Sequence, residues 1–354
     1  MKRKFVIPII FLAVSIAGCS NPQTPAITAN ANIVEDDHTG AEIQSNSISE
    51  GEDTTSSVQI TEQVKPTQAR SNISAEDNPD NLIQTDTPQE QEQLSPTKKA
   101  TRVLTSNAWK GLPVIPQVSK NVKSIYQRGL ELNNNPNAYS KIGDCGSTPA
   151  WFLGDFDRGP EYYNLGEYTK LLEVIQEFNG SHERVSLGAR AGFNAPSLFV
   201  SLWSDIEHCQ PDEGPLECEY RVNRPVMAFI MLGANDIWHP DEFEPSMRKI
   251  IEYSINNGVI PILSTKADNQ EGDGSINFAI ARLAQEYDIP MINYWRAVQD
   301  LPDQGLQEDG VHLTWGKNDF SDPKYLETAW TIRNLTALQT LDAVWRTATD
   351  QEPQ

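Results

Sequence analysis

The stretch Val226-Met227-Ala228-Phe229-Ile230-Met231-Leu232-Gly233-Ala234-Asn235-Asp236 determines the fold of this chain. Its first seven residues are all apolar, which is typical of a parallel strand that is covered on both faces. The glycine and the polar residues behind them mark the carboxyl end of that strand. Ligands of open parallel sheets bind beyond this end, so Asn235 is a candidate site residue, while Asp236 is expected to brace its loop.

Strand-like and helix-like runs alternate on both sides of this segment. Further strands are predicted at residues 138–142, 184–187, 259–264 and 289–294. Helices are predicted at residues 118–133, 166–178, 240–256, 276–287 and 324–346. This alternation predicts a doubly wound, flavodoxin-like parallel sheet of five strands, in a three-layer α/β/α domain that spans residues 106–350.

The amino terminus has the pattern of a bacterial lipoprotein signal peptide over residues 1–18. Basic residues precede an apolar run that is too short to span a bilayer and that ends on Ile16-Ala17-Gly18-Cys19. Small residues before a cysteine predict that Cys19 is lipidated and becomes the new terminus; an ordinary secretory cleavage is the alternative. We therefore expect a lipid-anchored protein on the extracytoplasmic face of the cell envelope.

Residues 19–105 are predicted to form a disordered tether behind the lipidated terminus. They are rich in polar residues and proline, so they cannot bury enough apolar surface to offset the entropy of ordering. A chain of this length has a root-mean-square reach of ~50 Å. The net charge of −21 argues against nucleic acid and anionic membrane surfaces as partners. The expected protein is a monomer that needs no cofactor and touches the membrane through its lipid only.

The four cysteines divide into three groups. Cys209 and Cys218 lie nine positions apart in an acidic loop, which predicts a local disulfide in an oxidising compartment. His208 beside them makes a metal site the weaker alternative, so no metal is expected. With Cys19 assigned to the anchor, Cys145 is the odd cysteine, and it is buried, reactive or both.

Two distant motifs supply groups for nucleophilic chemistry. Ser140-Lys141-Ile142-Gly143-Asp144-Cys145 ends a predicted strand with a turn, and Asp309-Gly310-Val311-His312 offers a carboxylate and an imidazole. If the two meet, position 145 is where a nucleophile should stand. Ser147 is the alternative nucleophile, although it follows the turn by two residues. Asp144 is expected to brace the turn.

These motifs, taken in order and each at a strand end, resemble the SGNH (GDSL-like) hydrolase superfamily over about residues 115–347. The resemblance implies that His312 is the general base and that Asp309 orients it. It also implies an oxyanion hole made by Asn235, a backbone N–H of Gly192 and the N–H of residue 145. Gly188 is the alternative to Gly192. The chain departs from the family at Cys145, where the family has serine.

Three functions are consistent with this pattern. The first is an extracytoplasmic ester hydrolase or acyl transferase that uses the Cys145 thiol on a small-molecule or carbohydrate ester. The second is a weak or inactive pseudo-hydrolase that serves as a tethered ligand-binding module. The third is a cell-envelope interaction protein with a vestigial crevice. Trp203, Trp238 and Trp315 lie near the motif loops, where they either stack on sugars or pack in the core.

Overall fold

The computed structural model describes residues 104–351. The predicted signal peptide, Cys19 and the predicted tether up to residue 103 lie outside this range. Among the described helices, none combines the length and the apolar character needed to cross a bilayer.

Parallel strands form the centre of the described domain. The strands are β1 (Asn135–Gly143), β2 (Tyr163–Asn164), β3 (Pro225–Met231), β4 (Ile260–Ser264), β5 (Met291–Ile292) and β6 (Asn318–Asp319). The main sheet contains four of them in the order β1-β3-β4-β5, while β2 and β6 pair separately. Every residue of β3 is buried, as its unbroken apolar run predicts.

Helices flank this sheet. They are α1 (Asn121–Glu131), α2 (Asp155–Arg158), α3 (Leu171–Glu177), α4 (Pro215–Asn223), α5 (Pro240–Asn256), α6 (Ser275–Tyr287), α7 (Tyr294–Val298), α8 (Pro323–Leu326) and α9 (Ala329–Ala348). Helix α9 packs against α1 and α3, and α5 packs against α6. The doubly wound α/β class is therefore confirmed. The helix predicted at 324–346 is divided into α8 and α9, and α4 forms where a loop was expected.

The strand predicted at residues 184–187 does not form. Arg184 instead pairs with Glu219 at 2.9 Å, and the same carboxylate accepts the Leu187 N–H at 2.7 Å. A side chain thus takes the backbone donor that a strand ladder would use. One parallel bridge between Gly143 and Ala189 remains at the edge of β1, where a flavodoxin-like order places the fifth strand.

Lys141 is an ionisable residue that is buried in the core. It lies on β1 without exposed surface, and its Nζ donates to the carbonyl oxygen of His182 at 2.7 Å. Burial, helped by the nearby Arg184 and opposed by three carboxylates, lowers the pKa of Lys141 to about 7. The fold therefore favours the neutral amine and loses stability when the amine is protonated.

Replacing Lys141 with methionine should raise the unfolding temperature most at low pH. The unfolded lysine holds its proton up to about pH 10.5, whereas the folded lysine loses it near pH 7. Between these values the unfolded state binds more protons, so the stability of the wild type rises with pH. Thermal unfolding followed by circular dichroism should show a gain for Lys141→Met at about pH 6 that shrinks by about pH 9.

The exposed Lys317 offers a matched control for this substitution. Lys317→Met makes the same replacement at a position that water solvates. The unfolding temperature of this variant should therefore be close to that of the wild type at both pH values. An equal effect of Lys141→Met at both pH values would contradict the inferred cost of burying the ammonium group.

Candidate active site

The turn that follows β1 is held from two sides. The Gly143 N–H donates to the Gly188 carbonyl at 3.0 Å, and the Gly143 carbonyl accepts the Arg190 N–H at 3.1 Å. Asp144 then caps the short 3-10 turn Cys145–Ser147 by accepting the Gly146 N–H at 2.9 Å. Asp144 therefore braces the turn, as expected from the sequence.

Cys145 occupies the first position of this turn, where the nucleophile is predicted. Its sulfur is disulfide-bonded. The structure thus differs from the expectation of an unpaired thiol at this position. A nucleophilic role for Cys145 requires the reduced form of the protein.

Ser147, the alternative nucleophile, is enclosed by the protein. It has no exposed surface, and its Oγ finds no hydrogen-bond partner among the described residues. The Oγ lies beneath Gly143, where a Cβ on that glycine would overlap it. A hydroxyl in this position cannot reach a substrate without rearrangement of the turn.

His312 and Asp309 form a hydrogen-bonded pair at the other candidate motif. His312 Nδ1 lies 2.5 Å from Asp309 Oδ2, and Asp309 Oδ1 accepts the N–H groups of Val311 and His312, both at 2.9 Å. Burial alone would raise the pKa of Asp309, but these hydrogen bonds outweigh it and lower the pKa to about 2. The ionised carboxylate fixes a proton on Nδ1 of the neutral ring, which makes Nε2 the proton acceptor.

The loop that carries this pair is fixed to the sheet edge. Leu306 and Leu313 form an antiparallel bridge, and Gln270, in the loop after β4, donates to the Gly310 carbonyl at 2.9 Å. His312 is near enough to Asp144 to help lower the pKa of that carboxyl, which burial raises. The loop that carries His312 therefore lies in the neighbourhood of the turn after β1.

Asn235 and Asp236, which follow β3, hold the loop between residues 188 and 195. Asn235 Nδ2 donates to the Phe193 carbonyl at 3.0 Å, and Asp236 Oδ1 accepts the Ala195 N–H at 2.9 Å. An amide nitrogen has two donors, so Asn235 can hold the loop with one N–H and offer the other to a developing oxyanion.

The two glycines proposed as oxyanion donors have different surroundings. Gly188 is buried, its N–H donates to Ser186 Oγ at 3.2 Å, and a Cβ there would lie 2.5 Å from a methyl of Ile142. Gly192 is exposed and has a φ of +85°, in a turn closed by the Phe193 N–H and the Arg190 carbonyl. Within residues 104–351 its N–H has no acceptor, so Gly192 is the better placed donor.

Two charged groups at this edge were not predicted from the sequence. Lys266, in the loop after β4, donates to Asp268 Oδ1 at 2.6 Å and to Glu271 Oε2 at 2.5 Å. The other group is Arg333 of α9, which lies beside the turn after β1. A signal for Lys266 was available, because it lies just beyond a strand end, as Asn235 does. Arg333 carries no such local signal.

The predicted disulfide between Cys209 and Cys218 is present, with an S–S distance of 2.08 Å. The Glu213 carboxylate lies close to both sulfurs. Sulfurs that are bonded to each other are not thiolate ligands, so this group does not offer a metal site in the oxidised protein.

The three tryptophans that lie near the motif loops in the sequence are exposed. Trp238 is 79 % exposed, Trp315 is 61 % exposed and Trp203 is 44 % exposed. Trp238 and Trp315 each lie three residues beyond a candidate site residue, and the Arg190 guanidinium lies 5.8 Å from the Trp203 ring. These three rings are therefore available to a ligand rather than packed in the core.

Among known proteins, only solved structures show similarity to this chain. Neither a protein-family model nor a curated protein matches the chain. A GDSL-like lipase from Bacteroides thetaiotaomicron is 14 % identical, with a TM-score of 0.37, over 63 % of this chain and 98 % of that one. A catalytic mutant of an acetylxylan esterase from Geobacillus stearothermophilus is 15 % identical, with a TM-score of 0.36, over 58 % of this chain and 93 % of that one. Values this low say nothing about the substrate of this chain.

Asp236→Asn should stabilise the protein above about pH 6. Burial, helped by Asp144 and opposed by two backbone N–H groups and Lys266, raises the pKa of Asp236 from 3.8 to about 6. Between these values the folded state holds more protons, so the stability of the wild type falls as the pH rises. Asparagine keeps the acceptor for Ala195 and does not ionise. Urea unfolding should give a gain of roughly 2–3 kcal/mol at about pH 7 that disappears near pH 4.

The exposed Asp300 provides the matched control, since Asp300→Asn removes a carboxyl that water solvates. Its unfolding free energy should stay close to that of the wild type at both pH values. An equal gain in unfolding free energy for Asp236→Asn at the two pH values would contradict this interpretation of the buried carboxyl.

Proposed function

We propose that this chain is an extracytoplasmic, SGNH-type ester hydrolase. The observation that carries the proposal is the hydrogen-bonded pair of His312 and Asp309, whose imidazole is near enough to influence the Asp144 carboxyl in the turn that presents residue 145. Asn235 and Gly192 lie at the same sheet edge, on segments that bond to each other and to this turn. A general base, its orienting carboxylate and two oxyanion donors are thus supplied together.

The residues support a two-step acyl transfer. The nucleophile at position 145 attacks the ester carbonyl while His312 Nε2 takes its proton, and the carbonyl oxygen becomes an oxyanion. The N–H groups of residue 145 and Gly192, with the Asn235 amide, donate to that oxyanion. His312 then gives the proton to the departing alcohol. Water then attacks the acyl-enzyme while His312 Nε2 takes its proton. The bond between the acyl carbon and residue 145 breaks, residue 145 recovers the proton from His312, and the acid is released.

In this proposal the reduced form of Cys145 is the nucleophile. A thiol with an ordinary pKa near 8.5 is already a few per cent thiolate at neutral pH, and an adjacent His312 in its imidazolium form would stabilise the thiolate. The disulfide at Cys145 blocks this chemistry, so activity should depend on a reductant.

The proposed substrate is a small-molecule or carbohydrate ester outside the cytoplasm. Trp203, Trp238 and Trp315 are exposed, and indole rings offer a large apolar face with a polar edge. The disulfide between Cys209 and Cys218 suits an oxidising compartment, which agrees with the signal sequence. Lipid anchoring through Cys19 and the monomeric state belong to the same proposal, in which the Cys19 sulfur is a thioether and Cys145 is in its reduced form.

A second candidate function is a ligand-binding pseudo-hydrolase. The observation that favours it is the disulfide-bonded state of Cys145, which leaves the crevice without a nucleophile. In that case the same residues would bind an ester without turning it over.

A panel of chromogenic esters should separate these functions. The hydrolase proposal predicts that the unlipidated full-length chain hydrolyses at least one ester after reduction with a phosphine, and that the oxidised protein is much slower. Cys145→Ser should remove the dependence on reductant, and His312→Ala should abolish turnover in both backgrounds. Turnover by neither the reduced protein nor Cys145→Ser, together with retained binding of the esters, would favour the pseudo-hydrolase instead.

Asp309→Asn should lower kcat by on the order of 10³–10⁴-fold with little change in KM. The asparagine amide would donate to Nδ1 and so favour the tautomer that protonates Nε2. The effect is measured by steady-state kinetics, in the reduced protein or in Cys145→Ser, depending on which of them hydrolyses ester. Glu308→Gln, at the exposed neighbouring position, is the matched control and should retain wild-type kcat. Equal kcat values in both variants would remove Asp309 from the mechanism.

A further inference from the structure

Arg333 has no part in the hydrolytic steps, yet its guanidinium lies against the nucleophile turn. A Cβ on Gly146, the residue after Cys145, would lie 2.9 Å from Arg333 Nη1. The positive charge also counteracts the burial that raises the pKa of Asp144. The guanidinium is therefore next to the position where the ester must sit.

The hydrogen-bonding capacity of Arg333 is largely unused. A guanidinium has five N–H donors and no acceptor. Within residues 104–351 its one acceptor in hydrogen-bonding range is the Met231 sulfur, 3.1 Å from Nη2, and a thioether is a weak acceptor. Phe152 and Trp330 lie 5.1 Å and 5.9 Å from the guanidinium carbon. These rings hold its plane without satisfying its donors.

Three other partly or fully buried arginines of the described chain are paired with carboxylates. Arg184 pairs with Glu219 at 2.9 Å, Arg248 with Glu286 at 2.7 Å and Arg346 with Glu173 at 2.6 Å. Arg333, which is also partly buried, forms no salt bridge with any described residue. A fourth, Arg128, donates to the Asn256 carbonyl at 2.7 Å, so Arg333 differs from all four in having no oxygen acceptor among the described residues.

The neighbouring charges do not replace that missing partner. Asp144 commits an oxygen to the Gly146 N–H and makes no hydrogen bond to Arg333. Lys266, the other buried cation at this edge, is bonded to Asp268 and Glu271. The charge of Arg333 is therefore available to an anion that enters the crevice.

We propose that Arg333 binds a carboxylate of the ester substrate, so that the site selects esters that carry an acidic group close to the scissile bond. The inference rests on the proposed hydrolase function and specifies its substrate class. A guanidinium matches a carboxylate through two parallel hydrogen bonds. In a chain whose net charge is −21, an anionic substrate needs such a local cation. Arg333 is a specificity-determining residue in this proposal.

An isosteric pair of esters tests the selection. 4-Acetoxybenzoate carries a carboxylate where 4-acetoxybenzamide carries a neutral amide of the same shape. The measured quantity is the ratio of kcat/KM for the benzoate to kcat/KM for the benzamide, in the reduced full-length protein or in Cys145→Ser. Arg333→Met should lower this ratio by about 10- to 100-fold, the range of charge-assisted hydrogen bonds, and Arg333→Lys should restore part of it. Arg282→Met, on the exposed surface of α6, is the matched control and should leave the ratio unchanged.

A binding measurement keeps the inference separate from the hydrolase proposal. If no ester is turned over, the hydrolase proposal fails, and calorimetric titration with 4-hydroxybenzoate and 4-hydroxybenzamide takes the place of kinetics. We expect the wild type to bind the benzoate at least about 10-fold more tightly, and Arg333→Met to lose that preference while keeping its far-ultraviolet circular dichroism. Equal binding of the two compounds by the wild type, or a benzoate preference that survives Arg333→Met, would overturn the assignment.

Discussion

The candidate site depends on the position of Gly143 at the end of β1. Its Cα pairs with Met231 of β3 on one side, and its backbone bonds to Gly188 and Arg190 on the other. A side chain there would overlap the Met231 carbonyl and Ser147 Oγ. Glycine is thus required for three separate segments to approach, and their approach places the nucleophile turn between the two oxyanion candidates.

Electrostatics at the same edge divide the charged groups into two kinds. Asp309, Asp144 and Asp236 each accept backbone N–H groups, so they orient loops as well as carry charge. Arg333 is different, because its donors meet only a thioether among the described residues. The three carboxylates position the loops of the site. Arg333, in our proposal, selects the substrate.

The parts of the fold that could be predicted from the sequence are those with local signals. The apolar run of β3, the helix at 240–256 and the disulfide between Cys209 and Cys218 are all found as expected. The prediction of a strand at 184–187 was wrong because Glu219, which is distant in sequence, accepts the Leu187 N–H. Arg333 was missed for a similar reason, since only tertiary packing brings α9 to the turn. The disulfide at Cys145 likewise had no local signal in the sequence.

The central claim is that His312 activates the group at position 145. The most direct measurement is covalent labelling of Cys145→Ser by a fluorophosphonate, with the modified peptide identified by mass spectrometry. The account predicts one phosphonyl adduct on residue 145 and its loss when His312→Ala is added. An adduct on Ser147, or labelling of residue 145 at an unchanged rate without His312, would contradict it.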